Sequence, residues 1–380
     1  MVDRVRGCLL GGAVGDALGA PVEFLSLASI RQQFGPEGVT ELEPAYARRG
    51  RFTDDTQMTL FTAEGLIRAA NHRAAGGTRH VTDIVHGAYL RWLHTQGESV
   101  ERIRATQAGD SDRQAGPDPA ATAGQSGRAP PFEPSGWLVE QRVLHARRAP
   151  GNTCLSALRI PGPVIPAPND SKGCGGVMRS APVGVFPRSI FSASPFDLGW
   201  KCAALTHGHP TGYLAAGAFA VMVRRLLEED PVEAALDAAE RELGAWSPRE
   251  EATETVDALA RPRERAAEGE PSAEAVESLG QGWIAEEALA IAVYCARVAD
   301  DFASGARLAV NHGGDSDSTG AIAGNLLGAR LGVGAIPARW LEALEARAII
   351  DELAHDVTGA AGEAPQGPSR HTDLGRYPPF

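Results

Sequence analysis

The stretch His312-Gly313-Gly314-Asp315-Ser316-Asp317-Ser318-Thr319-Gly320 places two carboxylates and three hydroxyls on consecutive residues, Asp315 to Thr319. An apolar run, Ala321 to Leu327, follows it. Oxygen donors packed this densely at a helix start suit Mg²⁺, Mn²⁺ or Ca²⁺ rather than zinc or copper. Far upstream, Thr53-Asp54-Asp55-Thr56 repeats the device before a second helical pattern. Each cluster also has a plain structural reading, a helix cap that favours the helix dipole. A cap uses one acceptor, however, and each cluster supplies three or four. Brought together, four carboxylates repel one another unless cations neutralise them. Two divalent ions would do so, with the Thr53 and Ser318 hydroxyls completing their shells.

Two other constellations carry weaker signals. Lys172-Gly173-Cys174-Gly175-Gly176-Val177-Met178-Arg179 is a glycine-rich turn whose N–H groups could cradle a phosphate, or a plain turn. It lacks the G-x-x-x-x-G-K-[ST] pattern of a P-loop. Thr206-His207-Gly208-His209-Pro210 could supply a metal ligand or a general base, or simply cap and pack. Asp110-Ser111-Asp112 mimics the opening motif but lies in a glycine-rich polar context that favours a solvated acidic patch.

Helices must position these groups. The spacing predicts a helix over 3–19 with a row of glycines at Gly7, Gly11, Gly15 and Gly19. Each glycine costs a helix about 1 kcal/mol against alanine, so a row on one ridge implies close approach of another backbone. Gly320, Gly324 and Gly328 repeat the row in the helix expected over 317–331. Pro21 ends the first helix and leaves Glu23 as a lone acid in an apolar setting. Residues 31–52 read as a loop, and Thr53 and Asp54 as caps of a helix over 57–71. Further helices are expected at 81–96, 195–206, 210–228, 231–243, 249–267, 283–299, 301–310 and 338–354. Shorter helical patterns fall at 136–149 and from Asn152, with a loop at 160–176. Aliphatic residues almost vanish over 104–135, which reads as a flexible insertion. The chain beyond 357 reads as a disordered, fraying tail. Period-two alternation is scarce, so the expectation is a single all-α domain over 1–357.

Composition narrows the classes. The 380 residues are 43% hydrophobic and 22% charged, with a net charge of −12, which disfavours a general nucleic-acid-binding surface. The five cysteines, Cys8, Cys154, Cys174, Cys202 and Cys295, are scattered and form no C-x-x-C. That pattern fits a reducing compartment better than a disulfide framework or a zinc knuckle. No signal-peptide pattern is apparent, and no stretch reaches the ~20 apolar residues of a membrane span. A cytoplasmic protein is expected.

In this order the motifs resemble the ADP-ribosylglycohydrolase family. The residues that carry the resemblance are Gly11 to Gly19 with Pro21 and Glu23, Phe52 to Thr56, and Gly173 to Arg179. Thr206 to Pro210 and Gly313 to Ser318 complete the set. The likeness implies a compact orthogonal multi-helix fold around a binuclear Mg²⁺ or Mn²⁺ centre. It makes Thr53, Asp54, Asp55, Asp315, Asp317 and Ser318 the metal ligands, with serine at Ser318 where the family usually has threonine. Glu23 matches an acidic residue implicated in catalysis, and Asp54 or Asp55 could activate water while binding metal. Gly173, Gly175, Gly176, Val177 and Met178 match the segment that holds the ADP-ribose phosphates, and His207 matches a histidine near the ligand. Cys174 stands where several relatives carry asparagine.

The reaction so implied is cleavage at C1″ of an ADP-ribosylated acceptor through an oxocarbenium-like transition state. The acceptor is a modified protein or small molecule and the product ADP-ribose; nucleic acid enters only as a modified end or base. An arginine N-glycoside is favoured. The alternatives are a hydrolase of serine O-linked or nucleic-acid ADP-ribose, and a catalytically silent ADP-ribose-binding member. A helical phosphohydrolase would need H-D pairs that do not stand out here.

Overall fold

The computed structural model describes residues 1–108, 131–363 and 372–378. Among them are 17 α-helices, several 3₁₀ turns and one two-stranded antiparallel ladder that pairs Pro44–Ala45 with Arg48–Arg49. The all-α expectation holds. The Asp110-Ser111-Asp112 patch and most of the 104–135 insertion lie outside the described residues.

At the centre, the first helix, Val2–Gly19, runs antiparallel against the helix Ser316–Leu331. The two glycine rows face each other. A Cβ on Gly7 would overlap the Gly328 carbonyl oxygen, one on Gly11 that of Gly324, and one on Gly15 that of Gly320. The converse overlaps hold for Gly320, Gly324 and Gly328. Backbone thus meets backbone along three successive turns, closer than any side chain permits. Asn325 locks the register by donating from Nδ2 to the Cys8 carbonyl at 2.7 Å. Because the pair is antiparallel, the C-terminal end of the first helix, with Glu23 just beyond it, lies beside Asp315–Ser318.

Asp16 joins a third helix to this pair. Its buried carboxylate accepts from the Thr53 N–H at 2.8 Å, the Thr56 N–H at 3.0 Å and the Thr56 hydroxyl at 2.6 Å. These bonds satisfy orphan donors at the start of the helix Asp54–Ala74, where the Thr53 side chain also accepts from the Asp55 N–H. Three helix ends therefore converge on one place. Around them packs a continuous apolar core that includes the fully buried run Leu289–Ala296.

The structure departs from the sequence reading in five places. Residues 27–34 and 100–108 form helices that polar composition concealed. The stretch 136–149 is turns and a single 3₁₀ turn, Arg142–Leu144, that packs Leu138 and Leu144 inward. The expected helix over 338–354 is two, Ala338–Ala343 and Arg347–Ala360. Gly50 abuts the Ala343 carbonyl, its own carbonyl accepts from the Glu345 N–H, and Ala346 turns left-handed with φ 53°. The tail beyond 357, expected to fray, continues the last helix to Ala360. Further on, Tyr377 is fully buried and donates its hydroxyl to Asp356 at 2.6 Å.

Candidate active site

The two acidic clusters share one cavity of about 420 Å³. Asp54 and Asp55 enter it from one helix start, Asp315, Asp317 and Ser318 from another, and Glu23 from beyond the first helix. Carboxylate oxygens of Glu23, Asp315 and Asp317 lie within 4.8 Å of one another. Glu23 is thus nearer to Asp315 and Asp317 than a lone acid at the rim would be. Thr53 does not line the cavity; its hydroxyl accepts from the Asp55 N–H at 3.3 Å at the helix start.

Local geometry explains each placement. Gly314 has φ 151°, and a Cβ there would overlap the Gln281 carbonyl oxygen. The same carbonyl accepts from the Asp315 N–H at 2.8 Å, so only glycine allows the chain to enter the helix at this angle. Asp54 is fixed by accepting from the Gly151 N–H at 3.4 Å, while its own N–H donates to the Arg148 carbonyl at 3.2 Å. His312 and Thr319 face away from the cavity and hydrogen-bond each other at 2.8 Å in the core.

Electrostatically the site is far from balanced. Burial, then neighbouring Asp317, pushes the Asp16 carboxyl up to about 7. Burial followed by Asp317 and Asp315 pushes Glu23 up to about 10. Asp54, Asp55 and Asp315 are raised well above the usual carboxylate range, chiefly by burial and secondly by Asp317. Burial also raises Asp317, opposed by hydrogen bonds from Asp315 and Thr53. Among the described residues none of these six acids forms an ion pair with lysine or arginine. Asp55 Oδ2 and Asp317 Oδ1 are buried without any hydrogen-bond partner. These two orphaned hard oxygens, in a cavity also lined by Asp54, Asp315 and Ser318, fit divalent cations.

The glycine-rich loop divides. Gly173, Gly175 and Met178 line the cavity, as does His207. Gly176 and Val177, expected to bind ligand, do not line it. Gly176 packs toward the Gly212 carbonyl and Ala203, and Val177 is fully buried in the core. Lys172 turns outward to Glu254 at 2.7 Å and Glu286 at 2.9 Å. His207 is buried and pushed down to about 3 by desolvation and then Arg179, so it is a neutral imidazole. Its Nδ1 lies 2.8 Å from the Thr206 hydroxyl, which fixes the ring and turns its other edge to Gly175.

Three residues escaped the sequence reading. Asp16 holds the Thr53–Thr56 turn, and the signal for it was a charged residue inside a glycine and apolar helix. Phe24 is 70% exposed at the cavity mouth with φ 70°, its ring stacked on Trp283 at 5.1 Å between centroids. Cys174, left without a role, donates its thiol to Asp315 Oδ2 at 2.8 Å.

Known proteins share this architecture. The family described as ADP-ribosylglycohydrolase matches residues 1–367. The chain is 28% identical over 356 residues to ADP-ribosyl-[dinitrogen reductase] glycohydrolase of Rhodospirillum rubrum, covering 90% of each chain. It is 24% identical to the ADP-ribosylarginine hydrolase Tri1 of Pseudomonas putida, covering 94% of this chain and 78% of that one. A solved structure titled ADP-ribosylglycohydrolase-related protein complex superposes with a TM-score of 0.60 at 28% identity, covering 95% of this chain and 98% of that chain. The chain belongs to the ADP-ribosylglycohydrolase family.

Proposed function

We propose that this glycosyl hydrolase removes ADP-ribose from a modified arginine by cleaving the N-glycosidic bond at C1″, with two Mg²⁺ or Mn²⁺ ions. The observation that carries the reading is the set of buried carboxylates around one cavity that pair with no lysine or arginine among the described residues. Asp54, Asp55, Asp315, Asp317 and Ser318 would hold the ions, with Thr53 capping the helix that carries Asp54 and Asp55. The ions would supply charge neutralisation and polarise substrate hydroxyls.

The chain's own groups divide the remaining work. Gly173, Gly175 and Met178 form a wall against which the ADP-ribose can lie. The neutral His207 offers a hydrogen bond without adding charge. Glu23, at the acidic edge, would move a proton to the departing acceptor or from the attacking water. An arginine acceptor suits the mouth. Its guanidinium meets the acids and can lie over the exposed Phe24 ring. The name of the relative in Pseudomonas, an ADP-ribosylarginine hydrolase, supports the same linkage, and that of the relative in Rhodospirillum supports removal of ADP-ribose from a protein.

The experiment is a panel of arginine-, serine- and DNA-linked ADP-ribose, each incubated with Mg²⁺, Mn²⁺ or chelator. Release from the arginine substrate alone, abolished by chelator, is expected. Faster release from serine or DNA would overturn the linkage, and release unaffected by chelator would overturn the metal role.

A further inference from the structure

A soft donor stands among the hard ones. Cys174 lines the same cavity as the acids, and its Sγ lies 2.8 Å from Asp315 Oδ2 and 3.5 Å from the Ser318 hydroxyl. Met178 Sδ faces Ser318 from the other side at 3.9 Å. One edge of the acidic centre therefore presents two sulfurs. Independently, the partnerless buried oxygens of Asp55 and Asp317 face the same cavity and call for a cation there.

The two donors are close enough to share an ion. Oxygen and thiolate bound to one Zn²⁺ sit at about 2.1 and 2.3 Å from it, and at the tetrahedral angle those donors are about 3.6 Å apart. The Cys174–Asp315 pair, in hydrogen-bond contact at 2.8 Å, reaches that spacing by opening roughly 0.8 Å once an ion replaces the thiol proton. Cys154 also lines the cavity, but its Sγ accepts from the Arg179 guanidinium at 3.3 Å and makes no contact with the acids, whereas Cys8, Cys202 and Cys295 are buried away from the cavity.

We propose that Cys174 converts one half of the centre into a thiolate-containing site that captures thiophilic divalent ions, Zn²⁺ or Cd²⁺, in place of a hard ion. Thiolate ligands favour such ions over Mg²⁺ and Mn²⁺. On binding, the metal–sulfur bond replaces the S–H bond and the proton leaves to solvent, so no oxidant is required. The proposal rests on the metal reading of the same acids, but its test does not depend on turnover.

The test titrates Cd²⁺ into the full, chelator-stripped chain and follows the ultraviolet charge-transfer band of a cadmium–thiolate bond. The wild type should show a band that saturates with a single site and releases a proton. C174S and C174N should lose the band and bind Cd²⁺ at least roughly 10-fold more weakly. Both should still bind Mn²⁺ by calorimetry, and that binding reports that the variants are folded. A band of equal size in C174S, or none in the wild type, overturns the thiol assignment and leaves the hard-metal reading standing. Failure of the wild type to bind either Mn²⁺ or Cd²⁺ overturns both.

Discussion

The helix Asp54–Ala74 carries two kinds of buried charge. Near its middle, Glu64 is fully buried between Arg68 at 2.5 Å and Arg91 at 2.6 Å. At its start, Asp54 and Asp55 are buried among four more acids with no arginine or lysine paired to any of them among the described residues. The first group brings its own cations and is sealed. The second is built with its counter-charges left out, which a protein tolerates only where something else supplies them. Same helix, opposite accounting: one cluster is structure, the other is a receptor for charge.

The largest effect that could break this contrast is catalytic. Asp55→Ala and Asp315→Ala should each reduce release of ADP-ribose to background while circular dichroism and the unfolding transition stay native-like. Normal turnover in either variant with chelator present would end the distinction. Next comes stability. Glu64→Gln strips the counter-charge from two buried arginines and should destabilise by roughly 3–5 kcal/mol, with or without divalent cation. Asp317→Asn should do the reverse in chelator, raising stability on the order of 1 kcal/mol by relieving repulsion. Denaturant unfolding of both variants under both conditions reads the comparison directly. If Asp317→Asn destabilises the chelated protein, the acids are not in excess.

A smaller effect follows from pH. Asp16 and Glu23 are raised to about 7 and about 10, so the folded state keeps protons that the unfolded chain has released. Stability from this source is fully present below about pH 4, the unfolded value, and is lost as pH rises through the raised ones. In chelator the thermal midpoint should fall between about pH 4 and 7 and continue to fall more gently beyond. Saturating Mn²⁺ should flatten the fall, because the ion takes the place of the protons. A midpoint indifferent to pH in chelator would contradict the raised values.

How much of this could be seen in the sequence varies with what decides each feature. The glycine rows were legible because their spacing reports a backbone contact whatever the partner, and the partner carries the same spacing. The Thr53–Asp55 and Asp315–Ser318 clusters were legible as donor sets; their meeting followed from the family resemblance. Asp16 was missed because its work is done by accepting from backbone N–H groups 37 and 40 residues away, which no local pattern encodes. The break at Leu344–Ala346 was hidden for the same reason, since Gly50 imposes it from across the fold. Gly176 and Val177 belong to the same loop as the cavity-lining Gly173 and Gly175, but a tight turn exposes only part of itself, and which part depends on what packs behind it. The tail misled because a Gly/Pro-rich composition says nothing about a single buried anchor such as Tyr377.

The smallest expected effect tests the mouth of the site against its floor. Phe24 holds a left-handed backbone, φ 70°, that disfavours a bulky side chain, while its ring lies mostly in water on Trp283. Burial does not account for such a residue, since little of the ring leaves solvent. Its N–H donates to the Gly314 carbonyl at 3.3 Å, tying the strained turn to the metal-proposed loop. Phe24→Gly separates the two contributions: glycine relaxes the backbone and removes the ring. The unfolding midpoint should therefore stay the same or rise. If the ring receives the arginine guanidinium, KM for ADP-ribosylarginine should rise by about 2- to 5-fold, the worth of an exposed cation–π contact of roughly 0.5–1 kcal/mol. A serine-linked substrate, which lacks the cation, should show no such change. A fall in kcat with KM unchanged would instead make Phe24 a buttress for Glu23, and the acceptor preference would then rest on charge alone.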